Sequence, residues 1–508
     1  MLEIKRLLDP RIAAIAAAPI AIAILASCGS GGGDAALIRH CTPALMAPPS
    51  QPGYANTTWP TEHRDKWRTH AAAAGLPGGI TSDRLTVTAA ETPPTPTWGY
   101  LGADGKVYVL GGAPFLLDVY ASMILGAPRD QLPALIAQSK VTSGVVTPYL
   151  ARIDPTTMKV DKLDLSGGAS VNYVGGALVH SNGFLYAIAR GVLFKIDPTG
   201  FQVVQSKQLP LPNDTSTGQP NQNTAYNGMQ AIDNGDLILK GFASISPGTT
   251  PAILLRVSAT DLSILAQLET SAVADARLTI ANIGAQEYLY LPGQTSSLRF
   301  RLDPNAFVPD DSYTQPYLGA GDGSTPASSD VFMGNGVIFA NNTEPQATIP
   351  MRLFGETASG STLGNIAAFV SANAGWNFFM VAGDPFRLGI VVVEDQLNGQ
   401  ISGFVACADG KTVEKLWEND SLAVSAGAAI AYDRGQLYVD DRRCATNGSC
   451  QLFLVVLDLV TGLETARVAV KGAKPSIGQI FIGPDSAVYF PATDTGNLVG
   501  YVNRVTGN

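Results

Sequence analysis

The sequence predicts an all-β fold, an eight-bladed β-propeller closed by an N-terminal strand, and two recurring phrases predict it. In the first, a tight turn ending in a small or polar residue runs into an aliphatic or aromatic strand. It reads Asp104-Gly105-Lys106-Val107-Tyr108-Val109, Asn182-Gly183-Phe184-Leu185-Tyr186-Ala187 and Asn234-Gly235-Asp236-Leu237-Ile238-Leu239. It returns at Gln286-Glu287-Tyr288-Leu289, Gly336-Val337-Ile338-Phe339, Gly389-Ile390-Val391-Val392, Gly435-Gln436-Leu437-Tyr438 and Ser486-Ala487-Val488-Tyr489. The copies lie about fifty residues apart, apart from a longer first interval, and such a period in a strand-rich chain marks radial repetition of one four-stranded unit.

The second phrase is an apolar residue, Asp and a short Thr/Gly turn. It occurs at Ile153-Asp154-Pro155-Thr156, Ile196-Asp197-Pro198-Thr199-Gly200, Leu302-Asp303-Pro304 and Leu457-Asp458-Leu459-Val460-Thr461-Gly462. Weaker copies lie at Val257-Ser258-Ala259-Thr260-Asp261 and Ala408-Asp409-Gly410-Lys411, and Val502-Asn503-Arg504-Val505-Thr506-Gly507 carries Asn for Asp. Asp and Asn suit this turn because their side chains accept hydrogen bonds from amides two residues on. The last copy leaves its unit without an outer strand. Arg84-Leu85-Thr86-Val87-Thr88 alternates like a strand, and its pairing there would close the ring and cover an open edge.

Around Ala408-Asp409-Gly410-Lys411-Thr412-Val413-Glu414-Lys415-Leu416-Trp417 the chain resembles the repeat of quinoprotein-like (PQQ-repeat) eight-bladed propellers, in which an Asp/Gly/Lys turn is coupled to a Trp that packs between blades. The resemblance covers roughly residues 98–508. For enzymes of that group it implies pyrroloquinoline quinone (PQQ) stacked on Trp, Ca²⁺ held by Glu and Asn, and an Asp base. That set cannot be placed residue by residue in this sequence.

The front end reads as a lipoprotein signal. Lys5, Arg6 and Arg11 give a basic start, Ile12 to Ala26 is apolar, and Leu25-Ala26-Ser27-Cys28 places small residues before a cysteine. The apolar run is shorter than the roughly 20 residues a membrane span needs. Residues 1–27 are thus expected to be removed, Cys28 to be acylated, and Gly29-Ser30-Gly31-Gly32-Gly33 to act as a tether to a lipid bilayer. Gly29 at the second mature position resembles lipoproteins sorted to the outer membrane. The expected organisation is 1–27 signal, 28–82 linker with a short helical extension, and 83–508 propeller with an insertion near 113–147.

A net charge of −9, with charged residues only 15% of the chain, argues against a nucleic-acid partner. Of the other cysteines, Cys444 and Cys450 flank a hairpin tip at Ala445-Thr446-Asn447-Gly448-Ser449 and are expected to pair. Cys41 and Cys407 follow by elimination. No Cys-x-x-Cys-His haem motif occurs.

Thr61 to Ala74 reads as a short helix with a charged face at Glu62, Arg64, Asp65, Lys66 and Arg68, stopped by Gly75 and Pro77-Gly78-Gly79. His63 and His70 lie seven apart, too wide on a helix for one ion, so an ordinary surface or docking face is the expectation rather than a metal site with Glu62 or Asp65. The apolar insertion from Ala113 to Ile136 either folds back on its own blade or meets a partner or lipid surface. Asp322-Gly323-Ser324 is read as a turn rather than a Ca²⁺ loop, and His180 as structural. No nucleophile elbow, zinc-protease or P-loop motif is present. No catalytic, cofactor-binding or metal residue is assigned. Two functions remain: a lipid-anchored, non-catalytic scaffold binding an envelope protein, or an envelope quinoprotein-type dehydrogenase or propeller hydrolase with a central site using PQQ and Ca²⁺.

Overall fold

Short Val/Ile/Leu/Tyr runs separated by Asp/Asn/Gly turns pair with their sequence neighbours, and the result is a set of antiparallel meanders packed as a β-propeller. The computed structural model describes residues 41–112 and 147–508, apart from 169–172, 223, 244–250, 271–275, 294–295, 314, 317–324, 327–329, 334–335, 343–351, 358–361, 370–380, 397, 410–411, 447–448, 476–477 and 495–498. The signal, Cys28, His40, the insertion at 113–146 and Asp322-Gly323-Ser324 lie outside the described residues.

The first blade contains Pro96–Leu101, Val107–Gly111, Tyr149–Ile153 and Val160–Asp164 in that order from the centre outward. The next begin on the inner strands Val174–Val179, Thr224–Ala231, Thr279–Ile283, Val331–Met333, Ala382–Asp384 and Ala429–Ala431. The expectation of eight blades is corrected here to seven. Seven blades are built on consecutive stretches of chain. The remaining strands make a composite sheet in which Leu85–Thr92 pairs with Val499–Gly507, which pairs with Val488–Asp494, which holds Phe481–Ile482. Leu85 lies opposite Gly507 and Thr92 opposite Gly500, so the closing strand is paired along its whole length.

The expected helix over Thr61–Ala74 does not form. Among the described residues the helical turns are the 3₁₀ segments Ser82–Arg84, Asp311–Tyr313 and Tyr432–Arg434. Arg64, Arg68 and His70 have φ of 73°, 60° and 56°. Three left-handed residues within seven cannot continue a right-handed helix, and the carbonyls of Lys66, Trp67, Thr69 and His70 bond to the propeller instead of to amides four residues on.

The turn chemistry works as its sequence suggests. Asp154 Oδ1 accepts from the amides of Thr156 and Thr157, both at 2.9 Å, and Asp458 Oδ1 from Val460 at 3.0 Å and Thr461 at 2.8 Å. Gly105 sits at φ 74°, and Ser486 fills the matching place in the last copy at φ 62°, a costlier choice for a residue with a Cβ. Trp417 packs between two blades. Its Nε1 donates to Leu459 O at 3.0 Å, and its ring lies so close over Gly403 and Gly462 that a Cβ on either would meet it at 2.3 or 2.4 Å.

Two disulfides are present, Cys41–Cys407 and Cys444–Cys450. The first spans 366 residues and fixes Thr42 to Ala44 alongside Ala406 to Ala408, with Ala44 N to Ala406 O at 2.8 Å and Ala408 N to Thr42 O at 2.8 Å. The second spans 6 residues. Cross-link entropy grows with loop length, so Cys41→Ser with Cys407→Ser is expected to cost roughly 2–4 kcal/mol and Cys444→Ser with Cys450→Ser clearly less. Denaturant midpoints of the two double variants check this ordering.

Candidate functional site at the propeller centre

The innermost strands are short, and between them lies the segment from Gly53 to Leu76. It exchanges backbone hydrogen bonds with one inner strand after another. Ala55 N donates to Val179 O at 2.9 Å, Val179 N to Pro60 O at 2.7 Å and Leu101 N to Trp59 O at 2.9 Å. Ile280 N donates to Lys66 O at 3.0 Å, Phe332 N to Trp67 O at 3.0 Å, Gly383 N to Thr69 O at 2.9 Å and Ile430 N to His70 O at 2.8 Å. Ala71–Ala72 then pairs in parallel with Ile430 and Ala431. Tyr54 OH donates to Gln230 Oε1 and accepts from Ala231 N at 2.9 Å, and the Trp59 ring meets Phe481 of the composite sheet at 6.5 Å. Every sheet therefore touches this plug.

The charges expected on a solvated helix face are buried. Glu62, His63, Asp65, Lys66, Arg68 and His70 are each 0–1% exposed. Buried charges must be paired, and the ring wall supplies the partners. Glu62 Oε1 takes Arg68 Nη2 of the plug at 3.0 Å and Arg277 Nη1 of the wall at 2.9 Å. Arg277 also donates to the carbonyls of Gly175 at 3.1 Å and Asn227, and its guanidinium lies 4.3 Å over the Trp98 ring. Lys66 Nζ meets Asp233 Oδ1 at 2.5 Å and Glu287 Oε1 at 3.3 Å. Asp65 Oδ1 accepts from Thr69 N at 3.0 Å and its Oδ2 from Thr69 Oγ1 at 2.6 Å.

His63 and His70 come together. Their rings stack at 4.7 Å. His63 Nδ1 meets Gln479 Nε2, and its Nε2 lies 3.2 Å from Glu62 Oε1. His70 Nδ1 lies 3.2 Å from Ala428 O, which makes Nδ1 the protonated nitrogen and leaves Nε2 as a lone pair. Burial, then the neighbouring Arg68, holds His63 well below the usual histidine range and His70 down to about 3. Both rings are therefore neutral at neutral pH. Burial also brings Arg68 down to about 10, opposed by Glu62, so it stays a cation.

Two carboxyls of the wall are less well served. Asp330 is fully buried, and neither of its carboxyl oxygens has a hydrogen-bond partner among the described residues. The nearby Thr279 hydroxyl donates to the Asp330 carbonyl instead, at 3.0 Å. Burial pushes the Asp330 carboxyl up to about 7. Glu394 has Oε2 3.2 Å from Gln396 Nε2 and Oε1 without a partner among the described residues, and burial, then Asp440, pushes it well above the carboxylate range.

The sequence reading named Glu62, His63, Asp65 and His70 but set them on a surface helix, and it did not single out Arg277, Asp330 or Glu394. His180 has its structural place, with Nε2 at 2.7 Å from Gly235 O and Nδ1 accepting from Asn182 N at 3.0 Å. A Ca²⁺–quinone centre does not fit this donor set. Glu62 is committed to two guanidiniums. Among the described residues the one grouping of three ligand atoms close enough for an ion is Cys41, Cys407 and Glu414, and those cysteines are joined to each other.

Solved structures share the fold. The quinohemoprotein alcohol dehydrogenase ADHIIG of Pseudomonas putida HK5 superposes with a TM-score of 0.56 at 9% identity, covering 90% of this chain and 80% of that one. A europium-containing methanol dehydrogenase gives 0.54 at 10% identity, covering 90% and 99%. The Dos1 propeller gives 0.50 at 11% identity, covering 85% and 97%. No protein-family model and no curated protein matches the chain. The chain thus shares the β-propeller fold of these proteins, and similarity at this level defines the fold alone.

Proposed function

We propose that this chain is a non-catalytic, protein-binding propeller of a cell envelope, held to a membrane by a lipid on Cys28 and acting as an assembly scaffold. One observation carries the non-catalytic part. The centre of the ring, where a propeller enzyme would receive cofactor and substrate, is filled by Gly53–Leu76, and the charges there answer one another. A function must be argued from a site rather than from a fold, and this interior is built for self-recognition. The lipid anchor rests on the basic start, apolar run and Leu25-Ala26-Ser27-Cys28. The outer-membrane assignment rests on Gly29.

The test has two arms. Mass spectrometry of the mature N-terminal peptide is expected to find Cys28 carrying diacylglycerol; an unmodified Cys28 would remove the anchor. Purified protein mixed with PQQ and Ca²⁺ is expected to retain no visible chromophore after gel filtration and to oxidise no alcohol. Retained quinone with turnover would establish the dehydrogenase reading instead, and ester or lactone hydrolysis the hydrolase reading. Cross-linking in intact cells, followed by reconstitution with the captured envelope protein, tests the scaffold directly.

A further inference from the structure

The plug is an unusual filling for a protein centre. A permanent core is cheapest when apolar, yet this one carries ionisable groups on a backbone with three left-handed non-glycine residues. The wall adjoining it holds two fully buried carboxyls with oxygens that have no partner among the described residues, Asp330 and Glu394. Asp330 stands two residues before Phe332, whose amide holds the Trp67 carbonyl, and its field acts on Arg68. Glu394 neighbours Ala428, whose carbonyl faces His70. Both carboxyls thus border the same stretch of plug.

We propose that Gly53–Leu76 is a proton-locked plug: with Asp330 and Glu394 protonated the segment is seated, and loss of those protons loosens residues 66–70 from the inner strands. A neutral carboxyl is tolerated in this dry wall. A carboxylate there keeps at least one oxygen without a partner among the described residues, and the Asp330 charge acts on the Arg68 guanidinium that Glu62 holds.

The sign follows from linkage. A carboxyl whose folded-state titration is raised makes the seated state hold more protons, so seating weakens as pH rises from the ordinary carboxylate range through about 7 for Asp330. The other groups facing the pair do not reverse this above pH 6.5. His63 and His70 are already neutral, Arg68 remains a cation, and Arg68 and Arg277 both pair with Glu62. Asp384 is satisfied by the amides of Phe386, Arg387 and Leu388. Asp440 titrates near 6 and is held by Ser425 and Ala426. Tyr290, beside Asp330, is pushed up to about 12 by burial and stays neutral.

Hydrogen exchange of the full chain, corrected for intrinsic rates, tests this between pH 6 and 8.5. The amides of Ile280, Phe332, Gly383 and Ile430 donate to plug carbonyls. They are expected to lose about tenfold protection across this window through Asp330, most of it below pH 7, and more through Glu394, while the ladder between Gln436–Cys444 and Cys450–Asp458 keeps its protection. Asp330→Asn with Glu394→Gln mimics the protonated pair and is expected to abolish the loss. Uniform loss, no loss, or a loss unchanged in the double variant would overturn the proposal. Should the double variant not fold, Asp330→Asn alone decides, since it must at least reduce the loss that falls below pH 7.

Discussion

Glu62→Ala is expected to lower stability by about 3–5 kcal/mol, among the largest effects of any single substitution in the chain. The carboxylate is shared by Arg68 and Arg277, all three groups being almost wholly buried. Its loss leaves two guanidiniums facing each other without a counter-charge and deprives the plug of its tie to the wall at Arg277. Urea denaturation followed by tryptophan fluorescence is a suitable measure, because Trp59, Trp67 and Trp98 all pack at this centre. The partner control is Arg277→Met. In that background Glu62→Ala is expected to cost distinctly less, and the difference between the two cycles is the coupling itself. An additive result would mean that the Glu62–Arg277 contact contributes nothing beyond packing.

How much of this was legible in the sequence differs sharply by region. The blades were legible because a strand records its burial locally, as alternating or continuous apolar runs, and because Asp154, Asp197 and Asp458 satisfy amides two or three residues away. The closing strand was legible for the same reason, since Arg84 to Thr88 alternates and the last copy of the repeat lacks an outer neighbour. The plug was not. Its charge density reads as a solvated helix face, and nothing within the segment records that its solvent is replaced by a ring wall. Arg277 is 215 positions from Glu62, and Asp330 stands alone before a short inner strand. A site assembled by radial convergence has no spacing rule, because each blade contributes one residue from a different repeat. One signal was available: Glu62 to Arg68 carries no apolar stripe at helical spacing, so as a helix it would have had nothing to bury.

The second large effect concerns closure. A version of the chain beginning at Pro93 is expected to be insoluble, because Val499–Gly507 would present an unpaired edge of nine residues beside an unfilled centre. Closure and filling can be separated through the register. Leu85 lies opposite Gly507 and Thr92 opposite Gly500. A copy of Arg84–Thr92 attached after Asn508 through a two-residue Asn-Gly turn sets Arg84 opposite Asn508 and therefore runs back along Val499–Gly507 in its native pairing. That version is expected to be soluble and monomeric in size-exclusion chromatography, since the edge is covered, while remaining far less stable than the full chain. Arg277 would then lack Glu62, Asp233 and Glu287 would lack Lys66, and the amides of Leu101, Ile280, Phe332, Gly383 and Ile430 would face water in place of plug carbonyls. If the re-closed version matched the full chain in stability, the plug would be a passenger in a ring held by its sheets alone. If it stayed insoluble, the plug would be needed for the ring to form at all, and closure by the edge strand would be secondary.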